Sequence, residues 1–494
     1  FVRLHLVLSA GVADGAAGAE PWEGRVERLL VSARTPSHIA MNVGTRLGAA
    51  VRLLVAADEE IAARIDRAYE SIRGVLSHAS GDERSGGAHS AEDVDRLLAE
   101  ADRDVLSTAG KGPVVRLVDA MLFEALGRGA SDVHVQPLAG CVLIRYRVDG
   151  VLRTERSLPR HVAEAVSGRI KVMGRMDVAE RRVPQDGRAG VTIGSGTSSR
   201  AVDLRISSLP TRHGERLVIR LLDPGRGREM TTLEALGMPP RVRGRYLDLA
   251  ARPQGVVLLT GPTGSGKTTT LYATLRWISS RGTDRGGADG DGDLNIMTIE
   301  DPIEYELSAI GVCVSQSQVN ARKGLTFASG LRHILRQDPD VIMVGEIRDE
   351  ETARIAVQAS LTGHMVLSTL HTNSALGAIT RLTDLGIEPF LISASLAGSM
   401  AQRLVRRIHV QCNGGGCGDC AGTGFSGRIG LFELLGVTPE IRSLIGSGGD
   451  RDRLYAAARE DGLRTLREEG LRLASEGVTS LDEVRRVTLS EHEE

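Results

Sequence analysis

The octet Gly261-Pro262-Thr263-Gly264-Ser265-Gly266-Lys267-Thr268 is a complete G-x-x-x-x-G-K-[ST] phosphate loop, and it constrains the fold more than any other feature. The run Gly255–Thr260 before it is short, apolar and β-branched, which predicts a buried strand, and residues 269–278 after it predict a helix. Strand, glycine-rich turn and helix N-terminus together set backbone N–H groups and a partial positive charge around a phosphate. In that frame Lys267 reaches the β- and γ-phosphates, the Thr268 hydroxyl holds Mg2+, and the nucleotide-binding stretch runs on to Thr269. A glycine-rich turn of purely structural purpose needs neither the Lys-Thr ending nor this frame. The ligand is a nucleoside triphosphate.

Bulk properties bound the rest. A chain of 494 residues has room for about three domains with ample core. A net charge of −2 gives no overall pull toward nucleic acid or anionic membrane. Only four of the 61 basic residues are lysines (Lys111, Lys171, Lys267 and Lys323), so the lysine in the loop stands out. No apolar run approaches the roughly 20 residues that span a bilayer. The opening Phe1-Val2-Arg3-Leu4-His5-Leu6-Val7-Leu8 has a faint signal-peptide look but is short and broken by charge, and without an initiator Met the start reads as truncated or misassigned. Five cysteines, three of them clustered, point to a metal site in a reducing compartment rather than a disulfide framework.

Composition shifts divide the chain. Residues 1–77 are rich in Ala, Val and Arg, with helical periodicity best over 58–69, and predict a mostly helical partner-docking region. A linker follows over 78–111, polar and glycine-rich at its start. Residues 112–228 mix a helix with alternating strands, a smaller α/β domain. The nucleotide-binding domain covers 229–404, with a Gly/Asp-rich insert at 281–293 that predicts a surface loop. A small Cys/His segment spans 405–428, and 429–494 predicts a helical C-terminal subdomain.

Three further segments turn a nucleotide binder into a candidate hydrolase. One apolar strand ends in Glu300-Asp301-Pro302-Ile303-Glu304 and a second in Gly345-Glu346. Ligands of doubly wound sheets sit beyond the carboxyl ends of strands, so both carboxylate sets point toward the phosphate loop. One can hold Mg2+ through water while the other orients the attacking water. Taken singly, such carboxylates can merely cap strands or helices. The third segment, 362–372, reads as a strand with His364 before it and His371 at its exit, where a histidine can report the γ-phosphate to neighbouring subunits.

His409 and Cys412, then Cys417 and Cys420, are two ligand pairs at two-residue spacing, matching tetrahedral Zn2+ at a Cys3His site. Cys412 and Cys417 can also be idle thiols. Cys141 and Cys313 stand alone in strand-like contexts and predict buried, inert side chains.

From about Val114 to Ser490 the chain resembles the hexameric ATPases of type II secretion and type IV pilus assembly, and most of all their secretion branch. The resemblance rests on Ala130-Ser131-Asp132-Val133-His134-Val135, Arg169-Ile170-Lys171-Val172-Met173, Val183-Pro184-Gln185-Asp186-Gly187-Arg188 and Arg200-Ala201-Val202-Asp203-Leu204-Arg205. Leu331-Arg332-His333-Ile334-Leu335-Arg336-Gln337-Asp338-Pro339-Asp340 and Gln402-Arg403-Leu404-Val405-Arg406 continue it. It implies a RecA-like core in which the family's Asp box falls on 298–304, its Walker B strand on 340–346 and its His box on 362–371. By the same resemblance Glu346 is the Walker B glutamate and Glu304 the residue that positions water. Arg205 and Arg220 of the preceding α/β domain reach the phosphates, and Arg336 and Arg348 match further family arginines. The implied protein is a homohexamer in the cytoplasm, peripheral to the inner membrane through platform proteins. It uses ATP and Mg2+, carries Zn2+, and binds no nucleic acid. The chain departs from the family at His409, which stands where the first of four cysteines usually is, in the short loop between the ligand pairs, and in residues 1–77, of which only 46–69 faintly matches. A nucleic-acid translocase with the cysteine cluster as a knuckle fits poorly with near-neutral charge and 3% aromatic content.

Overall fold

The computed structural model describes residues 7–13, 26–32, 50–56 and 113–488, apart from 194–199, 224–231, 285–293 and 309–310. It divides into two compact units, Phe1–Gly87 and Ala88–Glu494. In the first unit the described residues are strands: β1 (Val7–Ala13), β2 (Val26–Ser32) and β3 (Ala50–Ala56). β1 pairs with β2 antiparallel, and β2 with β3 parallel. Where a mostly helical region is predicted, these runs of Val and Leu are short and favour a pleated surface over a helix. The helical periodicity over 58–69 and the polar linker lie outside the described residues.

The second unit begins with α1 (Pro113–Gly127), then β4 (Ala130–Pro137), β5 (Cys141–Val148), β6 (Val151–Pro159), α2 (Arg160–Met173), β7 (Gln185–Ile193), β8 (Arg200–Thr211) and β9 (Gly214–Leu222). The six strands form one antiparallel sheet in the order β6-β5-β4-β9-β8-β7. Alternation decides its faces. Val202, Leu204 and Ile206 of β8 point into a core shared with Leu117 and Met121 of α1 and Val162 and Val166 of α2. The intervening residues point the other way, and strand register lines up Arg188, Arg205, Arg220, Asp132 and Arg147 across that opposite face. At the rim, Lys171 is 1% exposed and donates to Glu215 Oε1 at 2.7 Å and to the Glu180 carbonyl at 2.6 Å.

The remainder is a doubly wound domain. In chain order it comprises α3 (Pro240–Ala250), β10 (Gly255–Thr260), α4 (Lys267–Asp284), β11 (Ile296–Glu300), β12 (Ser315–Gln318), α5 (Phe327–Ile334), β13 (Val341–Val344), α6 (Glu350–Leu361) and β14 (Met365–Leu370). It continues with α7 (Gly377–Asp384), α8 (Pro389–Ser395), β15 (Leu396–Ile408), β16 (Phe425–Gly436) and four closing helices, α9 (Pro439–Gly446), α10 (Arg451–Glu460), α11 (Leu466–Ser475) and α12 (Leu481–Thr488). The sheet order is β12-β11-β13-β14-β10-β15-β16, parallel throughout except for β16. β14 therefore lies between the phosphate-loop strand β10 and the carboxylate strand β13, the RecA-like arrangement. β10, β13 and β14 are buried at every position, as parallel strands covered on both faces must be. Val256 and Leu258 of β10 face a core with α5, α6 and α7, whereas Val257 and Leu259 face one with α3 and α4.

The insert predicted from 281 begins later than expected. α4 runs on to Asp284, with the Arg281 guanidinium 4.7 Å over the Trp277 ring, and residues 285–293 lie outside the described set. Cys313, predicted to be buried in a strand, is exposed and precedes β12, while Cys141 of β5 is half-buried. The two sheets of this unit meet at Asp149, in the β5–β6 turn, which accepts from the Gly427 amide at 3.0 Å and faces Arg428 at 3.7 Å. Among the described residues no helix is long and apolar enough to cross a membrane.

Candidate functional site

Parallel register brings the chemistry to one edge. Thr260 pairs with Leu370, Val344 with Ser368 and Ile299 with Val344. The residues that follow these strand ends, Gly261, His371, Glu346 and Asp301, therefore emerge side by side at the carboxyl edge, where doubly wound sheets bind ligands.

The phosphate loop is held open by its glycines. Gly261 and Gly266 have φ of +143° and +88°, and a Cβ at either would come within 2.6 Å of the Gln402 carbonyl or 2.8 Å of the Gln402 side chain. The cradle is thus closed behind by β15, and only glycine fits. Gly264, exposed with Pro262 and Thr263, has φ of +80°. Ser265 is buried with its hydroxyl unpartnered, two residues before α4 begins. An orphaned buried hydroxyl here suits an anion that supplies the missing partner. Lys267 is 8% exposed and donates to the carbonyls of Gly261 at 2.6 Å and Pro262 at 3.0 Å. Burial first, and then the neighbouring Arg403 guanidinium, lower its pKa to about 8 against the opposing pull of Glu346. Thr268 and Thr269 are half-buried in the first turn of α4.

Glu346 faces two partners. One carboxylate oxygen pairs with Arg348, and the other lies 3.5 Å from His371 Nε2. The loop that carries it is closed by Asp349, the N-cap of α6, which accepts from the Thr352 amide at 2.8 Å, and by Thr369, whose hydroxyl donates to the Gly345 carbonyl at 2.8 Å. The two histidines of this segment separate in role. His364 Nδ1 lies 2.8 Å from the Ala359 carbonyl at the end of α6, a structural contact, while His371 faces Glu346.

The first carboxylate cluster separates as well. Glu300 is 2% exposed and accepts from Thr298 at 2.6 Å, from Gln316 at 3.0 Å and from Tyr272. Burial raises its pKa despite these donors. Glu304 is exposed, and its backbone N–H donates to Tyr272 Oη at 3.3 Å. Of the two glutamates, Glu304 is the one free to meet a solvent-borne ligand.

Arg205 and Arg220 lie opposite one another on the open face of the six-stranded sheet. Arg220 Nε donates to Asp132 at 3.1 Å, and Arg205 Nε is buried without a partner. Among the described residues no hydrogen bond or ion pair joins either to the phosphate loop. Sequence reasoning missed Gln402 and Arg403 as site residues. Gln402 accepts from Thr270 at 2.8 Å, and Arg403 donates to the Asn373 carbonyl at 3.0 Å, so together they tie the loop helix and the segment after His371 to β15. Their signal was available: two long polar side chains in a stretch, Leu396–Val405, that is otherwise small or apolar, and both are buried, at 1% and 5% exposure.

The Cys/His segment connects β15 to β16. His409 Nδ1 lies 3.4 Å from the sulfurs of both Cys412 and Cys417, and Cys420 Sγ lies 3.8 Å and 3.7 Å from those two sulfurs. Tetrahedral bonds of about 2.3 Å place sulfur ligands about 3.8 Å apart, so the donor set fits Zn2+ without rearrangement. The Cys417 amide, outweighing burial, and then the Gly424 amide bring the Cys420 thiol to about 6, toward the thiolate that ligation needs. Idle thiols do not require four donor atoms within 4.8 Å of one another.

Comparison with known proteins agrees with this geometry. The family model of type II/IV secretion system proteins matches residues 107–486. Type II secretion system protein HxcR of Pseudomonas aeruginosa is 46% identical over 470 residues, 93% of this chain and 94% of its own length. Type II secretion system ATPase E of Vibrio cholerae is 46% identical over 410 residues, 78% of this chain and 77% of its own. Among solved structures, the Legionella pneumophila ATPase DotB covers 76% of this chain and 96% of its own with a TM-score of 0.56 at 22% identity, a likeness of fold.

Proposed function

The chain belongs to the type II/IV secretion system protein family as a secretion ATPase, and on that premise we propose that it is the motor of a type II secretion system. It hydrolyses ATP to power pseudopilus assembly and protein export through the outer membrane. It works as a homohexamer on the cytoplasmic face of the inner membrane, docked through a platform protein. The observation that carries this reading is the meeting, at one sheet edge, of a glycine-closed cradle with an unpartnered Ser265 hydroxyl and a Glu346–His371 pair 3.5 Å apart.

In this reading Gly261 to Thr269 wrap the triphosphate, and Lys267 exchanges two loop carbonyls for phosphate oxygens. Thr268 and Glu346 hold Mg2+, which neutralises phosphate charge. Glu304 positions the attacking water. His371, paired with Glu346, senses whether the γ-phosphate is present. Arg205 and Arg220 swing toward the phosphates when the smaller α/β domain closes over the site, adding transition-state charge. His409, Cys412, Cys417 and Cys420 hold Zn2+ as a structural ion.

The test is deletion of the gene, complemented with wild type or Lys267→Ala, scoring exported proteins and surface pili. Loss of export with pili intact, rescued only by wild type, supports the proposal. Loss of pili with export intact assigns the chain to pilus assembly, and no change in either reopens a nucleic-acid translocase.

A further inference from the structure

Tyr272 lies one and a half turns into α4, the helix that begins at Lys267, and is 1% exposed. Its hydroxyl does two things at once. It donates to the buried Glu300 carboxylate and accepts the backbone N–H of Glu304. The phosphate-loop helix is thereby bonded to the segment that displays Glu304, through one oxygen atom.

The same segment is pinned on its far side. The Tyr305 ring stands edge-on to Tyr272, 4.7 Å between centroids and 88° between planes. Gln316 of β12 accepts from the Leu307 amide at 2.7 Å and donates to the Tyr305 carbonyl at 3.4 Å and to Glu300 at 3.0 Å. Glu300 gathers Tyr272, Thr298 and Gln316 around a carboxylate that is 2% exposed. Burying a carboxylate is costly, and an apolar side chain of similar volume would fill the space without that cost. What the carboxylate adds is geometry: it orients the hydroxyl and the amide that fix residues 304–307. An exposed glutamate on a loose loop would sample many positions, whereas a group that orients water must be held within about 0.5 Å.

We propose that Tyr272, oriented by Glu300, is a positioning residue that sets Glu304 and transmits phosphate-loop occupancy to it along α4. This rests on the reading of Glu304 as the water-positioning carboxylate, and the experiment separates the two.

Steady-state ATPase kinetics of the full chain are compared for wild type, Tyr272→Phe, Glu304→Gln and the double variant, with thermal melting recorded for each. The expected result is that Tyr272→Phe lowers kcat about tenfold with KM for ATP within twofold and melting within a few degrees. In the Glu304→Gln background the same substitution changes kcat by less than about twofold, because its effect has no other route. Equal effects in both backgrounds would overturn the inference, since a core role does not depend on Glu304. Wild-type kcat in Tyr272→Phe beside a slow Glu304→Gln overturns the inference alone, and wild-type kcat in Glu304→Gln overturns both. If Tyr272→Phe does not fold, Gln316→Met removes the opposite pin, and the same two-background comparison decides.

Discussion

His371 Nε2 stands 3.5 Å from Glu346 Oε2, and the second oxygen of that carboxylate is taken by Arg348. One carboxylate at the carboxyl edge of β13 thus restrains a histidine that follows β14 and an arginine of its own loop. Mg2+ held at Glu346 would take up the same oxygens that face His371 and Arg348, and would neutralise phosphate charge there. Glu346→Gln should lower kcat about 100-fold or more while nucleotide affinity stays within a few-fold. His371→Ala should reduce the dependence of specific activity on protein concentration more than it reduces nucleotide affinity. Paired titrations of binding and turnover across a dilution series check both.

Lys267 carries a sign that can be measured. Burial and Arg403 hold its pKa at about 8, below its ordinary value of 10.5, so the free protein binds fewer protons than the unfolded chain between those two pH values. The charged lysine is therefore a cost to stability that is fully present below about pH 8 and is relieved progressively as pH rises from there toward 10.5. Phosphates at the cradle restore the charge. Nucleotide binding at pH 9 should take up close to one proton per site, and almost none at pH 7. Calorimetry in buffers of different ionisation enthalpy reads this directly, and Lys267→Met should remove the uptake.

The four-donor cluster predicts about one Zn2+ per chain by elemental analysis, lost in Cys420→Ser. Removing the ion with a strong chelator should lower the melting temperature by several degrees and expose the β15–β16 connection to proteases. Protein purified with far less than one Zn2+ per chain, and indifferent to the chelator, would contradict the site.

The Lys171–Glu215 pair predicts a stability effect away from the nucleotide. Both side chains are buried, at 1% and 8% exposure, and Ser208 also donates to Glu215 at 3.0 Å. Lys171→Met leaves Glu215 buried without its cation and should destabilise by about 3 kcal/mol. Lys171→Met with Glu215→Leu should recover most of that loss. Denaturant unfolding of the single and double variants provides the comparison.

The lysines show why some of this was legible in the sequence. In a chain with 57 arginines and four lysines, the lysine at 267 sits in a strand–loop–helix frame whose spacing is fixed by covalent geometry, and it could be placed without a structure. Lys171, on helix α2, looked like any family residue, because its partner Glu215 lies 44 residues away on strand β9. The same contrast holds for the carboxylates. That residues 300–304 gather at a strand end follows from local pattern. That Glu300 is buried and Glu304 exposed depends on Tyr272 and Gln316, which arrive from elements that no local spacing relates. The Cys/His pairs were readable as donors, but their closure to 4.8 Å depends on the β15–β16 pairing. The strands of the first unit were missed because short apolar runs of this kind carry little periodicity.

β15 has a mechanical consequence. Its first half is hydrogen-bonded to the phosphate-loop strand from Leu396 to Ala401, its middle supplies Gln402 and Arg403 behind the cradle, and its last residue precedes His409. Thirteen extended residues reach ~40 Å, and pairing with β16 along most of that length stiffens them like a splint. A small tilt at the nucleotide end, a degree or two too slight to notice there, sweeps the far tip through a distance that grows with the arm. The tip is where Gly427 and Arg428 grip Asp149, so the beam works as a pointer whose end already rests on the neighbouring sheet.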